Sequence, residues 1–258
     1  MIRILRSLFG PKAPRGAFRN QLSFPAWPAA VYAVGDVHGC LDQLRALEQL
    51  ITTDGEAIAG EKLIVTLGDY VDRGPDSAGV IEHLMRPLPH DFERVLLGGN
   101  HEELMLNAIK GLGDETWLEF GGVETIRSYG IDVALYRSSR PKARQTMLQS
   151  HIPQDHLSFL EGLALSLQLG QTVFAHAGIK RNIPIAQQNP NDLVWIRREF
   201  LDASPTDGLL VVHGHTPASE PELAPGRIGI DTCAFATGRL TAVRLIKGET
   251  PAFFTTGD

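Results

Sequence analysis

The chain has 258 residues, 43% of them hydrophobic and 21% charged, which suits a globular protein with an ample core. No apolar run approaches the roughly 18 residues of a membrane span, so a bilayer-crossing helix is excluded. Formal net charge is -6, and since Arg3, Arg6, Lys12, Arg15 and Arg19 crowd the start without an acid, the remainder is more acidic still; the basic footprint of non-specific nucleic-acid binding is missing.

In chain order, residues 1–28 read as a basic, flexible arm. Arg3 and Arg6 interrupt any apolar core of a secretory signal, and Pro, Gly and Arg make 10–28 an irregular lead-in. Cys40 and Cys233 form neither a CxxC pair nor a disulfide framework, which points to a reducing compartment, the cytoplasm. Cys40 reads as a small buried filler. The folded body starts near Ala29 and is expected to be one domain to residue 258.

Three apolar runs follow, VYAVG, KLIVTLG (62–68) and ERVLLGG (93–99), each ending in Gly and then charge. Their faces do not alternate, as in parallel strands buried on both sides. LDQLRALEQLITT (41–53) and SAGVIEHLM (77–85) between them carry apolar residues at three and four spacing, so the order is β-α-β-α-β. Residues 103–168 read as a helical insert without a metal-type cluster. From 165 onward LSLQLGQTVFAHAG, GLLVVHGH, GRIGID, RLTAVRLI and AFFTT predict a second, more mixed sheet.

Chemistry gathers at the strand ends. GDVHGC carries Asp36 and His38, two apart and on one side of a still extended chain. LGDYVDRGP carries Asp69, Asp72 and Arg73, and GGNHEE carries Asn100 and His101. In a parallel sheet these three tips are neighbours. FAHAG adds His176, and VVHGHTP adds His213 and His215. Mixed carboxylate, imidazole and amide oxygen ligands suit manganese, iron or zinc, and they are too many for one tetrahedral ion. Two divalent ions fit better, and such a pair can clamp both oxygens of a phosphoryl displacement and supply hydroxide at neutral pH. His83, His90, His151 and His156 lie in polar surroundings and are read as exposed.

GDVHG, GDYVDRG and GNHE, with 33 residues from Asp36 to Asp69 and 31 from Asp69 to Asn100, resemble the phosphoprotein phosphatase family of calcineurin-like metallophosphoesterases. FAHAG, DLVWIRREF and VVHGHTP extend the resemblance to its bacterial, phage-lambda-like branch, over about residues 30–245. The resemblance implies a four-layer α/β/β/α sandwich with two mixed sheets meeting at a dimetal site. It implies that Asp36 and His38 hold the first metal, that Asp69 bridges, and that Asn100, His176 and His215 hold the second, with manganese the favoured ion. His215 is preferred to His213 by the Gly-His order. His101 is the implied general acid, with Asp72 orienting it and keeping it cationic. Arg73 and Arg197 are the implied phosphate-binding groups, together with Asn100; Arg198 is the alternative to Arg197. Trp195 is read as packing rather than as a substrate-stacking surface.

The expected reaction is hydrolysis of a phosphate ester by direct attack of hydroxide held between the metals, without a covalent phosphoenzyme. Phosphoserine or phosphothreonine in proteins is the first expected substrate, because the related symmetrical dinucleoside tetraphosphatases usually depart from the Asp-Arg of DYVDRG and follow GNH with Asp. Symmetrical hydrolysis of a dinucleoside tetraphosphate, or of another nucleotide or polyphosphate, is the alternative.

Overall fold

The computed structural model describes residues 20–257, so residues 1–19 of the expected arm lie outside the described residues. The end of that arm is not an irregular lead-in. Gln21–Phe24 form β1, which pairs in parallel with Ser166–Leu169 (β5). Four residues, QLSF, carry too little pattern to declare a strand, and the partner that makes them one lies far along the chain.

β2 (Ala30–Val34), β3 (Lys62–Thr66) and β4 (Phe92–Leu96) pair in parallel, with Ala30 opposite Lys62 and Lys62 opposite Phe92, as the three apolar runs predict. Every residue of β2 and β3 is buried, because both faces of the sheet are covered. Alternate side chains divide between two cores. Tyr32, Val34 and Ile64 pack with Leu44, Leu47 and Ile51 of α1 (Leu41–Glu56) and with Val80 and Ile81 of α2 (Ser77–Leu84). Val31, Ala33, Leu63 and Val65 face the other way and meet Leu167 of β5, Phe174 of β6 (Thr172–Ala175) and Val212 of β7 (Leu210–His213). The three and four spacing of the α1 leucines and isoleucine puts them on one stripe. Asp76 caps α2, its carboxylate accepting the Gly79 N–H at 2.8 Å.

The middle of the chain is helical, as expected: α3 (Asn100–Ile109), α4 (Asp114–Trp117), a wide turn Leu118–Gly122, α5 (Val123–Ser128), α6 (Val133–Ser138), α7 (Pro141–His151) and α8 (Gln154–Glu161). On the outer face of the second sheet, Val173, Ala175 and Val211 pack against Leu193 of α9 (Pro190–Trp195) and Phe200 of α10 (Arg198–Leu201). Helices, sheet, sheet and helices thus form the expected four layers.

The second sheet runs β1-β5-β6-β7-β9-β8, with β8 (Glu222–Ala224) and β9 (Arg227–Gly229). The last two strands depart from the expectation. β10 (Thr241–Leu245) and β11 (Ala252–Thr255) return to the first sheet, whose order is β11-β10-β2-β3-β4, with Val243 opposite Ala33 in an antiparallel pair. An alternating strand such as RLTAVRLI fits either sheet, and only the closing of the inter-sheet core around Val243 selects one. His156 is also buried rather than exposed, its Nδ1 2.9 Å from the Tyr129 hydroxyl, and His83 Nε2 lies 2.7 Å from the Glu48 carboxylate.

Candidate active site

The turns that follow β2, β3 and β4 are tied to one another. The N–H groups of Val37 and His38 donate to the Asp69 carbonyl at 3.1 and 2.7 Å, and Gly39 N–H donates to the Tyr70 carbonyl at 2.8 Å. The buried Glu102 carboxylate accepts the N–H groups of Asp69, Tyr70 and Gly99 at 2.9, 2.7 and 2.7 Å. This network holds unusual backbone. His38, Asp69, Asp72, Arg73 and His215 have φ of 44°, 50°, 73°, 67° and 62°, in the left-handed region that side chains other than glycine seldom adopt. Such residues persist where surrounding contacts over-determine them, and they concentrate at functional sites.

Asp69 is the centre. Its Oδ2 lies 3.5 Å from His38 Nε2, 3.4 Å from His176 Nε2 and 3.9 Å from His101 Nε2. Two triplets share it, His38–Asp69–His101 and Asp69–His176–His215, all buried and with donor atoms within 4.8 Å of one another. Asn100 Oδ1 joins the second triplet at 2.9 Å from His176 Nε2, and His215 Nδ1 lies 3.2 Å from the same nitrogen. His213 points elsewhere: its Nδ1 bonds the Gly214 carbonyl at 3.0 Å and its ring meets Phe200 edge-on. Asp36 lies outside both triplets, its carboxylate accepting the His215 N–H at 3.0 and 3.2 Å.

The donor chemistry fits divalent cations. His38 and His176 each direct Nδ1 at a backbone carbonyl, Val71 at 2.9 Å and Leu67 at 3.1 Å, which leaves Nε2 facing the cluster. Burial pushes His38 down to about 3 and, with the charge of His176, pushes His215 down to about 2, which favours the neutral imidazole that a metal ligand requires. His176 goes the other way, to about 9, because Asp69 and Asp36 outweigh its burial. Asp69 stays well below the usual carboxylate range despite burial, through His176 and His101. Asp36 is raised by burial and by the nearby carboxylate of Asp231. Such acidic surroundings with imidazole and amide donors suit borderline divalent ions.

His101 belongs to the first triplet through Nε2, and its Nδ1 meets Asp72 Oδ2 at 2.7 Å, both side chains buried. Thr125 Oγ and Trp117 Nε1 also donate to the Asp72 carboxylate, at 2.7 and 2.9 Å. Arg73 Nη1 lies 3.1 Å from His38 Nε2, and its guanidinium sits over the Phe235 ring at 5.1 Å. Arg197, exposed before α10, places its charge near His215 and helps lower it; Arg198 is exposed one residue on.

Sequence reasoning missed Glu102, Trp117, Thr125 and Asp231. Glu102 left a signal, an acid three residues after Gly99 at a helix start. Trp117 and Thr125 left none, since they reach Asp72 across 45 and 53 residues.

Comparison with known proteins agrees with this geometry. The family described as calcineurin-like phosphoesterase matches residues 29–243. A bis(5'-nucleosyl)-tetraphosphatase PrpE, asymmetrical, from Oceanobacillus iheyensis is 30% identical over 242 residues, 84% of this chain and 88% of that protein. The protein of the same name from Bacillus thuringiensis is 25% identical over 236 residues, 84% and 91% of the two chains. Among solved structures, a candidate diadenosine tetraphosphatase superposes with a TM-score of 0.64 at 22% identity, covering 93% of this chain and 100% of the other. A protein serine/threonine phosphatase from Saccharomyces cerevisiae gives 0.57 at 15% identity, over 91% and 82%. These two share the fold. With its strand tips, its paired triplets and a family match over most of its length, the chain belongs to the calcineurin-like phosphoesterases.

Proposed function

We propose that the protein hydrolyses a dinucleoside tetraphosphate or a closely related nucleotide, cutting off-centre to release a nucleoside monophosphate and a nucleoside triphosphate. The observation that carries this reading is the similarity to tetraphosphatases named asymmetrical along 84% of the chain, well beyond the short motifs that phosphatases of many substrates share. It replaces phosphoserine and phosphothreonine as the first substrate class. Within the nucleotide alternative, it replaces the symmetrical cut with the asymmetrical one.

His38, Asp69, His176 and His215, with Asn100 beside them, would hold two divalent cations, manganese first and iron or zinc compatible, and the motif resemblance adds Asp36 to the set; Asp69 is common to both triplets. When bound, the cations supply water activation and charge stabilisation at the phosphoryl group. Arg73 and Arg197 present planar guanidinium groups to the phosphate oxygens, a geometry that favours paired hydrogen bonds. As the water oxygen bonds to phosphorus and releases a proton to solvent, the anhydride P–O bond breaks and His101 Nε2 delivers its proton to the departing oxygen. Asp72 fixes the ring through Nδ1, so that Nε2 faces the Asp69 side of the site.

In this reading one catalytic domain begins with β1 rather than at residue 29, with 103–168 bordering the cleft. Among the described residues no helix is long and apolar enough to cross a membrane. The two free cysteines suit a cytoplasmic enzyme, and the acidic net charge suits a small phosphorylated substrate rather than a nucleic acid.

The test is kcat/KM of manganese-loaded protein on diadenosine tetraphosphate and on phosphothreonine and phosphoserine peptides, with Asp69→Asn as background and chromatography of the nucleotide products. A preference for the nucleotide of tenfold or more, with AMP and ATP as products, supports the reading. Two ADP products overturn the off-centre cut, and a preference for peptides overturns the substrate class.

A further inference from the structure

Large aromatic side chains that stay open to solvent beside a buried charged cluster call for an occupant, since exposing an apolar ring forgoes the stabilisation that burial gives. Phe120 is 37% exposed and Trp195 is half-buried. The two rings meet edge to face, with centroids 5.9 Å apart at 88°. Phe120 also lies 6.1 Å from the His101 ring and Trp195 lies 6.2 Å from the His215 ring, so the pair spans from the acid to the second triplet.

Both rings are held from behind. Gly121, at φ 106°, offers its carbonyl to the Arg73 N–H at 3.1 Å, and a Cβ there would come within 2.8 Å of Arg73 Cγ, so the turn bearing Phe120 is seated on the second motif. Next along the same turn, a Cβ on Gly122 would come within 2.6 Å of the buried Trp117 indole. Trp195 Nε1 donates to the Glu103 carboxylate at 3.3 Å, which fixes the indole by its edge. Phe235, across the site, is a different case, because the Arg73 guanidinium already covers its face. Two residues beyond Trp195 stands Arg197, so one short segment sets an aromatic surface next to a phosphate-binding cation.

We propose that Phe120 and Trp195 form a nucleobase platform, on which one base of the substrate stacks while its phosphates reach Arg197 and the Asp69 cluster. This rests on the nucleotide reading above and names how the base is recognised. It also revises the expectation that Trp195 serves only in packing. Stacking on an aromatic ring tolerates any base, because every base has a π face. The platform therefore selects for the presence of a base more than for its identity.

The experiment compares wild type, Phe120→Ala and Phe120→Tyr on diadenosine tetraphosphate and on inorganic tripolyphosphate, which has no base. The ratio of kcat/KM for the dinucleotide to that for tripolyphosphate is expected to fall about tenfold in Phe120→Ala, through KM. Phe120→Tyr should restore it. An equal fall on both substrates, or an unchanged ratio, overturns the platform while leaving the hydrolase reading intact. A second arm measures tryptophan fluorescence with AMP and with ribose 5-phosphate, using Trp195→Phe as the blank. Quenching by AMP alone supports the platform even if dinucleotide turnover is absent and the hydrolase reading falls; equal response to both probes overturns it.

Discussion

His101 Nδ1 and Asp72 Oδ2 lie 2.7 Å apart in a pocket that Trp117 and Thr125 close from the helical insert. Burial raises Asp72, opposed by its bonds to His101, Thr125 and Trp117; burial opposes the His101 cation, but Asp69 and Asp72 together raise its pKa above the ordinary imidazole value. The pair is built to hold one proton on His101 in a fixed orientation. His101→Asn should lower kcat by about 10²–10⁴ while manganese content per chain, measured by elemental analysis, stays at the wild-type level. Loss of metal in that variant would identify His101 as a ligand and remove it from the acid role.

Glu102 is the next point of leverage, since one carboxylate satisfies backbone N–H groups of both the second and third motifs. Glu102→Ala leaves these donors buried and unpaired, at about 1–3 kcal/mol each. A loss of at least about 3 kcal/mol in the free energy of denaturant unfolding is expected, with weaker metal retention. A variant as stable as wild type shows that other groups replace the carboxylate.

Gly214 has no room for a side chain, because a Cβ there would lie 1.9 Å from Asp36 Oδ1. Gly214→Ala must displace either that carboxylate or the turn carrying His215. Metal content should fall together with turnover, by at least about tenfold in kcat/KM, and circular dichroism should show the fold retained. Full metal content with normal turnover contradicts the placement of Asp36.

Away from the site, Glu48 of α1 binds His83 of α2 and Arg94 of β4 in a nearly buried ion cluster. Burial opposes ionisation of Glu48, but the His83 hydrogen bond and the Arg94 charge outweigh it and hold the carboxyl below its usual value. A folded-state pKa below the unfolded one gives stability that is present above the ordinary carboxylate range and is lost as pH falls through the folded value. Glu48→Gln should therefore cost about 2 kcal/mol at pH 7 in urea unfolding, with the gap to wild type narrowing below about pH 4. A gap independent of pH rules out the charged form as the source.

How much was legible follows from where each interaction sits along the chain. The tips bearing Asp36, Asp69, Asn100 and His101 were readable because consecutive parallel strands place their carboxyl ends on one edge. His176 and His215 announced themselves the same way, as strand ends at Gly-rich turns. β1 was not readable, since Gln21–Phe24 become a strand only by pairing with β5. Nor was the return of β10 to β2, which an alternating pattern leaves open.

By itself the sequence determined the β-α-β order, the donor types and their spacing, because these depend on local periodicity and on the chemistry of single residues. Folding decided which atoms face one another: the gathering of His176 and His215 around Asp69, the capture of Asp72 by Trp117 and Thr125, and the placing of Phe120 beside Trp195. Those relationships join residues far apart in sequence, and they exist only once both sheets and the helical insert have packed around the same buried carboxylates.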